Sequence, residues 1–380
     1  MYPTKNPPQK WEQAYSVPAR FLKLAGVWHQ DSWPAAKRIQ HILFFILCVL
    51  FDVAIYMELA NLVTSNDYEM LSEHLSPVGF YTSYTIAIVV FKANGKKFKK
   101  MTSSLESSVF NDLASSSLKI KERCIFESNR LSTFFLSTVG CSLVIYLARP
   151  LYSNYSLPIS FSYSVNGIKY FLVYSLQIVS VIYLIITGIS LVMLNISLLN
   201  IASALIDVLN QSVAGLGQLS GVGVLVQRHS VIIRFVQEID EVFTYISLTR
   251  CLTSIISICN GLFQLTHTRK IPSVTFVFNV VYVFNVLFEI GIYCWFATAL
   301  TEKSLTLTDA CYNYDWPEES LSNQRSLLMI TARSQKPFYV TAGKFARLGV
   351  GSFLSLVKMA YSYFALMQSL YEKTEDLRTL

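Results

Sequence analysis

The sequence predicts an all-α integral membrane protein of seven transmembrane helices, and three observations carry that prediction. Apolar residues make up 53% of the 380 residues and charged residues only 14%, against roughly 25% charged in a soluble domain. The mean hydropathy is +0.43. The apolar residues also run together: from Phe171 to Ile206 there is no charged side chain, and a helix of about 20 such residues crosses a bilayer.

Seven runs read as spans, over 39–63, 77–92, 131–149, 171–200, 243–266, 272–300 and 348–371. The fourth would be about 45 Å long at 1.5 Å per residue, longer than a hydrocarbon core of roughly 30 Å. Its excess is expected to project into the cytoplasm. The opening stretch Met1–Trp11 has no apolar core behind a basic region, so it does not read as a cleavable signal peptide.

Orientation follows from Lys and Arg. With the N-terminus inside, the cytoplasmic segments 1–38, 92–130, 201–250 and 301–347 hold 24 cations, and the outer segments hold six. Positive charge is retained on the cytoplasmic side, so the asymmetry predicts a cytoplasmic N-terminus and an extracellular C-terminus. The run Lys92, Lys96, Lys97, Lys99, Lys100 beside the second span contributes most. Asn154-Tyr-Ser156 is a glycosylation sequon in the predicted outer loop 150–170, although Asn195 and Asn210 carry the same triplet in a span and an inner loop.

Enzymatic motifs are missing from the chain. The five histidines are isolated, with no HExxH pair, no phosphate-binding loop and no GxSxG elbow. Gly215, Gly217, Gly221 and Gly223 follow a helical span without the strand that a dinucleotide fingerprint requires, and read as a hinge. The seven cysteines are scattered through apolar runs and read as buried thiols. No cofactor and no nucleic-acid partner is expected.

The last span carries a pattern. Ser352, Ser355, Met359, Ser362, Leu366 and Ser369 recur at alternating steps of three and four, which places them on one helical stripe. Such a stripe either packs helices closely or lines a water-filled path with an apolar constriction. Lys358, in the same span, either snorkels to the interface or marks a functional path. Asp52, Glu58 and Glu289 read as ion-path residues or as buried structural acids. Aromatics gather in the outer halves of the spans: Phe80, Tyr81 and Tyr84, then Tyr146, Phe171 and Tyr174, then Phe278 and Tyr282. They form either an interfacial belt or the wall of an apolar pocket with a few hydroxyls. In the pocket reading, the ligand contacts are Tyr84, Tyr146, Tyr174, Ile178, Phe278 and Tyr282.

The C-terminal third then resembles a known signature. Arg333-Ser-Gln-Lys-Pro337, Thr341-Ala-Gly-Lys-Phe345 and Tyr361-Ser-Tyr-Phe364 are similar to elements of the insect odorant receptors, as are Tyr312-Asn-Tyr-Asp-Trp316 and, near the start, Leu24-Ala-Gly-Val-Trp28. Related gustatory receptors and the shared co-receptor carry Thr-Tyr, five apolar residues and Gln in the last helix. Here Ser362-Tyr363 is followed by four residues before Gln368, so the resemblance is to a ligand-tuned subunit.

The resemblance implies an odorant-gated, non-selective cation channel subunit in the plasma membrane of olfactory neuron dendrites. It would join a co-receptor in a heterotetramer whose central pore is lined by the last helices. Leu366 would be the apolar gate, with Ser362, Gln368 and Ser369 beside it. Tyr312, Trp316, Lys336 and Pro337 would belong to a cytoplasmic anchor. The chain then divides into a cytoplasmic segment 1–38, helices one to six with an outer ligand pocket over 39–300, an anchor segment 301–347, and a pore helix with its outer tail over 348–380. A gustatory channel is the alternative. A G-protein-coupled receptor is opposed by the inverted orientation, and by the absence of Asp-Arg-Tyr after the third span and Asn-Pro-x-x-Tyr in the seventh. A transporter is opposed by the lack of internal repeats.

Overall fold

The computed structural model describes residues 10–28, 34–65, 68–105, 117–148, 167–214, 222–267, 273–314 and 316–379. A 3₁₀ turn, Trp11–Tyr15, leads into α1 (Ser16–Leu24), and α2 (Ala35–Ser65), α3 (Tyr68–Ala93), α4 (Gly95–Leu105) and α5 (Leu118–Leu147) follow. The second half holds α6 (Ile168–Ala214), α7 (Val222–His267), α8 (Ser273–Tyr312), α9 (Leu321–Ser334) and α10 (Val350–Thr379). Each predicted span falls largely on one of α2, α3, α5, α6, α7, α8 and α10. Six of these seven are long and apolar enough to cross a membrane by length and composition. The seventh, α3, is 26 residues, about 39 Å at 1.5 Å per residue. Asn154 and the glycines at 215, 217 and 221 lie outside the described residues.

Much of what reads as inner loop is helix. α6 and α7 run to 47 and 46 residues and continue well past the predicted spans, because their polar ends still present apolar residues to one another. α6 is apolar on every side, which suits a helix surrounded by its own chain: in its most apolar stretch 67% of residues are buried. α3, α5, α7, α8 and the N-terminal helices all pack against it. α4 instead buries Phe98, Met101 and Leu105 on one face and turns its lysines outward.

The Gly26 element resembling the receptor signature has a local cause. Gly26 takes φ of +74° and ends α1, with Val27 N–H donating to the Leu22 carbonyl at 2.9 Å and Gly26 N–H to the Lys23 carbonyl at 3.2 Å. That pairing satisfies carbonyls a helix end leaves open, and a left-handed residue there favours glycine. Leu22 and Val27 are both fully buried, and Lys92 Nζ donates to the Gly26 carbonyl at 2.8 Å, tying the turn to α3.

Candidate functional site

A cavity of about 160 Å³ lies among α3, α5, α6 and α8, with Gln264 of α7 also in its wall. Tyr84 comes from α3, Tyr146 from α5, and Phe278 and Tyr282 from α8, and all four line it. The Tyr146 and Phe278 rings stack at 5.7 Å, and those of Phe278 and Tyr282 at 6.2 Å. Tyr84 owes its place to Gly188 of α6, where a Cβ would overlap the ring. Two of the predicted contacts fall elsewhere. Tyr174 and Ile178 are not among the lining residues. Tyr174 stacks on Tyr170 and donates its hydroxyl to the Leu147 carbonyl at 3.1 Å. The helix faces the cavity about two and three turns beyond Ile178, through Ile185 and Ile189.

The polar part of the wall was not legible as a unit. Ser142, Asn279, Asn285 and Glu289 line the cavity. Glu289 is held from both sides by Arg250 of α7, with Nε to Oε1 at 2.7 Å and Nη2 to Oε2 at 2.6 Å. Arg250 Nη1 also donates to Ser83 Oγ at 2.9 Å, and the guanidinium lies 4.6 Å over the Tyr84 ring. Arg250, which falls inside the predicted span 243–266 though its charge was counted with the inner segment 201–250, is a buried member of that span. Burying two charges is costly unless their remaining hydrogen-bonding positions are filled, and here α3, α7 and α8 jointly fill them. Asp52 accepts through Oδ2 alone, from Thr85 Oγ1 at 2.7 Å, and its buried Oδ1 has no partner among the described residues.

α10 packs on α7 and α8 through Leu356 and Ala360, and its other faces lie open. Only 11% of its apolar stretch is buried. Ser362, Leu366 and Ser369 are exposed, as are Ser355 and Met359, and Gln368 is half-buried with its amide on Glu372 at 3.2 Å. Ser352 departs from the stripe. It caps the helix start, accepting from Gly349 N–H at 2.9 Å, and faces Cys294 of α8. Lys358 is exposed.

The connection between α9 and α10 folds into a hairpin pairing Thr341 with Arg347 and Ala342 with Ala346. Gly343 and Lys344 both adopt left-handed backbone, with φ of +66° and +68°, and a Cβ at 343 would press on Leu248 and Phe345. Asp240 of α7 accepts from Thr341 N–H at 2.6 Å and from its hydroxyl at 2.8 Å. Lys344 N–H donates to Thr244 Oγ1 at 3.0 Å. The Thr341–Phe345 element thus clasps the start of α10 to α7. Tyr312, Trp316 and Lys336 are exposed and Pro337 is half-buried. Among the described residues no group of three or more His, Cys, Asp or Glu could hold a metal.

The family description "7tm Odorant receptor" matches residues 67–361. Odorant receptor 10 of Aedes albopictus is 31% identical over 147 residues, 39% of each chain. Odorant receptor Or2 of Anopheles gambiae is 28% identical over 143 residues, 38% of this chain and 37% of that one. These alignments span well under half the length of the curated relatives. The olfactory receptor OR5 from Machilis hrabei, in complex with eugenol, superposes with a TM-score of 0.85 at 15% identity, over 95% of this chain and 98% of that one. The likeness in fold is near complete.

Proposed function

As this chain belongs to the 7tm odorant receptor family, we propose that it is an odorant-gated, non-selective cation channel subunit. The observation that carries the reading is the aromatic cavity between α3, α5, α6 and α8, an apolar pocket with a few placed polar groups of the kind that holds small organic ligands. Tyr84, Tyr146, Phe278 and Tyr282 would contact the ligand. The receptor from Machilis hrabei in complex with eugenol supports a small organic ligand here too.

In this reading the N-terminus is cytoplasmic and the C-terminus extracellular, as the 24-to-six cation distribution favours. The exposed stripe of α10 lines a central pore shared with co-receptor subunits in a heterotetramer, with Leu366 as its gate between Ser362 and Ser369. The exposed Tyr312, Trp316 and Lys336 would meet neighbouring subunits in the cytoplasmic anchor. Plasma membrane of olfactory neuron dendrites is the corresponding location, and Asn154 would carry an outer glycan.

Ligand can open such a pore only by binding the open arrangement more tightly than the closed one. The chain co-expressed with an odorant co-receptor should pass cation current when a small volatile is applied, with G-protein signalling blocked. Responses that disappear under that block would overturn the channel reading.

A further inference from the structure

The cavity wall carries information about charge and polarity as well as size. Its volume of about 160 Å³ is close to that of engineered cavities of roughly 150 Å³ that take up benzene. A single ring or a short chain with few substituents fits such a space. Glu289 lines it, yet both of its oxygens are bound by Arg250. A charged ligand would face no uncompensated partner there and would lose its hydration, so the molecule is neutral.

The Tyr84 hydroxyl and the Asn285 side-chain oxygen, both on lining residues, have no partner among the described residues. Tyr84 is fully buried and Asn285 is 7% exposed. The orientation of the Asn285 amide is set by its neighbours. Ser142 donates its one hydroxyl proton to the Thr138 carbonyl at 2.9 Å, so towards Asn285 it can only accept. It does so from Asn285 Nδ2 at 2.8 Å. The amide nitrogen is therefore committed to Ser142, and the oxygen is left as an open acceptor. The phenol of Tyr84, from the facing helix, is left as an open donor. Unfilled buried groups of this kind penalise any occupant that cannot complete them.

We propose that the cavity selects a small neutral molecule bearing a hydroxyl group, an alcohol or a phenol, which donates to Asn285 and accepts from Tyr84. The proposal rests on the cavity being the ligand site. An ether or ester completes Tyr84 alone, and a hydrocarbon completes neither, which ranks the three classes. Ser142 acts through Asn285 as a positioning residue: without it the amide is free to turn its nitrogen towards the cavity.

Benzyl alcohol, anisole and ethylbenzene have the same number of non-hydrogen atoms and differ in these groups alone. The full chain in lipid nanodiscs is titrated with each, by equilibrium binding against labelled benzyl alcohol, and currents are recorded in parallel from cells expressing the chain with a co-receptor. Benzyl alcohol should bind roughly tenfold to a hundredfold more tightly than ethylbenzene, with anisole between them. Tyr84→Phe and Asn285→Leu should each collapse much of that range while ethylbenzene binding holds or improves. Ser142→Ala should narrow the gap between benzyl alcohol and anisole, which loss of packing alone would not do. Selective binding without current would uphold the ligand class and overturn the gating reading. Current with no hydroxyl preference, a preference untouched by Asn285→Leu and Tyr84→Phe alike, or no binding of any probe would overturn the ligand class.

Discussion

α6 and α10 both carry serines through an apolar helix, and the two rows have opposite surroundings. Ser180, Ser190, Ser197 and Ser203 of α6 are buried among other helices of the same chain, and Ser197 returns its hydroxyl to the Met193 carbonyl at 2.8 Å. Ser355, Ser362 and Ser369 of α10 lie exposed. Buried stretches of 67% and 11% measure the same contrast. A small polar row is thus a packing device when the chain itself covers it. Where the chain leaves it bare, it is available to lipid, to water or to another subunit. Substitutions around α6 should therefore act on folding, and substitutions on the bare face of α10 on the open–closed balance.

The strongest stability effect is expected at Arg250, which closes the polar seam beside α6. Arg250→Met leaves Glu289 buried without its partner, and breaking a buried pair in this way costs about 3–5 kcal/mol. Thermal unfolding of the purified chain should drop sharply, and Arg250→Met with Glu289→Leu should regain most of the loss. If the single variant unfolds like the parent, the seam contributes nothing to the bundle. Next comes Gly188→Leu on α6 itself. Its Cβ would overlap the Tyr84 ring, and overpacking costs about 1–3 kcal/mol. Surface expression should fall, and Tyr84→Ala in the same chain should restore part of it by vacating the space.

A smaller, pH-dependent effect belongs to the Val222 end of α7. His229 is buried against Phe338, and burial followed by the charge of Arg333 lowers its pKa from 6.5 to about 4. Its neutral form is the one that folds, so this contribution is complete above pH 6.5 and is lost as pH falls towards 4. The total is on the order of 1–3 kcal/mol. His229→Phe should flatten the pH dependence of unfolding across that window, and an unchanged slope would remove His229 from the account.

Smallest in stability is Leu366→Ser on α10, expected within about 0.5 kcal/mol for an exposed site. Its effect should appear in current instead. Hydrating an apolar constriction lowers the cost of opening it, so resting current should rise or permeability ratios shift at normal surface expression. A co-receptor supplying the remaining gate residues would make the change partial. If both quantities stay at the parent value, the two serine rows differ only in which partner packs on them.

The spans were legible because each is a continuous apolar run, and membrane solvent imposes that composition directly. Their inner extensions were not. The inner part of α7, from Val222 to Val242, carries Arg228, Arg234, Glu238 and Glu241, so it reads as loop until α4, α9 and the hairpin are seen packed on it. Tyr84, Tyr146, Phe278 and Tyr282 could be grouped in advance because aromatics at the outer ends of spans stand out. Tyr174 and Ile178 lie off the cavity wall, which the sequence could not signal because α6 is apolar all round and marks no preferred face. Arg250 was hidden for a related reason. A lone cation near a span boundary looks like a loop residue, and its partner Glu289 lies 39 positions away. Only the packing of three helices identifies the pair. The stripe of α10 was readable as a stripe, but Ser352 left it because a helix start needs its own cap.

The hairpin clasp has a mechanical consequence for α10. Its first turn is pinned by Asp240 and Thr244 through the hairpin, and by Thr298, whose hydroxyl accepts from Val350 N–H at 2.9 Å. Beyond that end one face packs on α7 and α8 through Leu356 and Ala360, and Tyr371 meets Phe263 of α7 with ring centroids 5.6 Å apart. The helix is thus fixed by backbone hydrogen bonds at Val350 and held by side-chain packing beyond it. Leu366 stands 16 residues from the fixed end, about 24 Å at 1.5 Å per residue. A tilt of about 5° would sweep its side chain through about 2 Å over that lever arm, while the clasped end stays still.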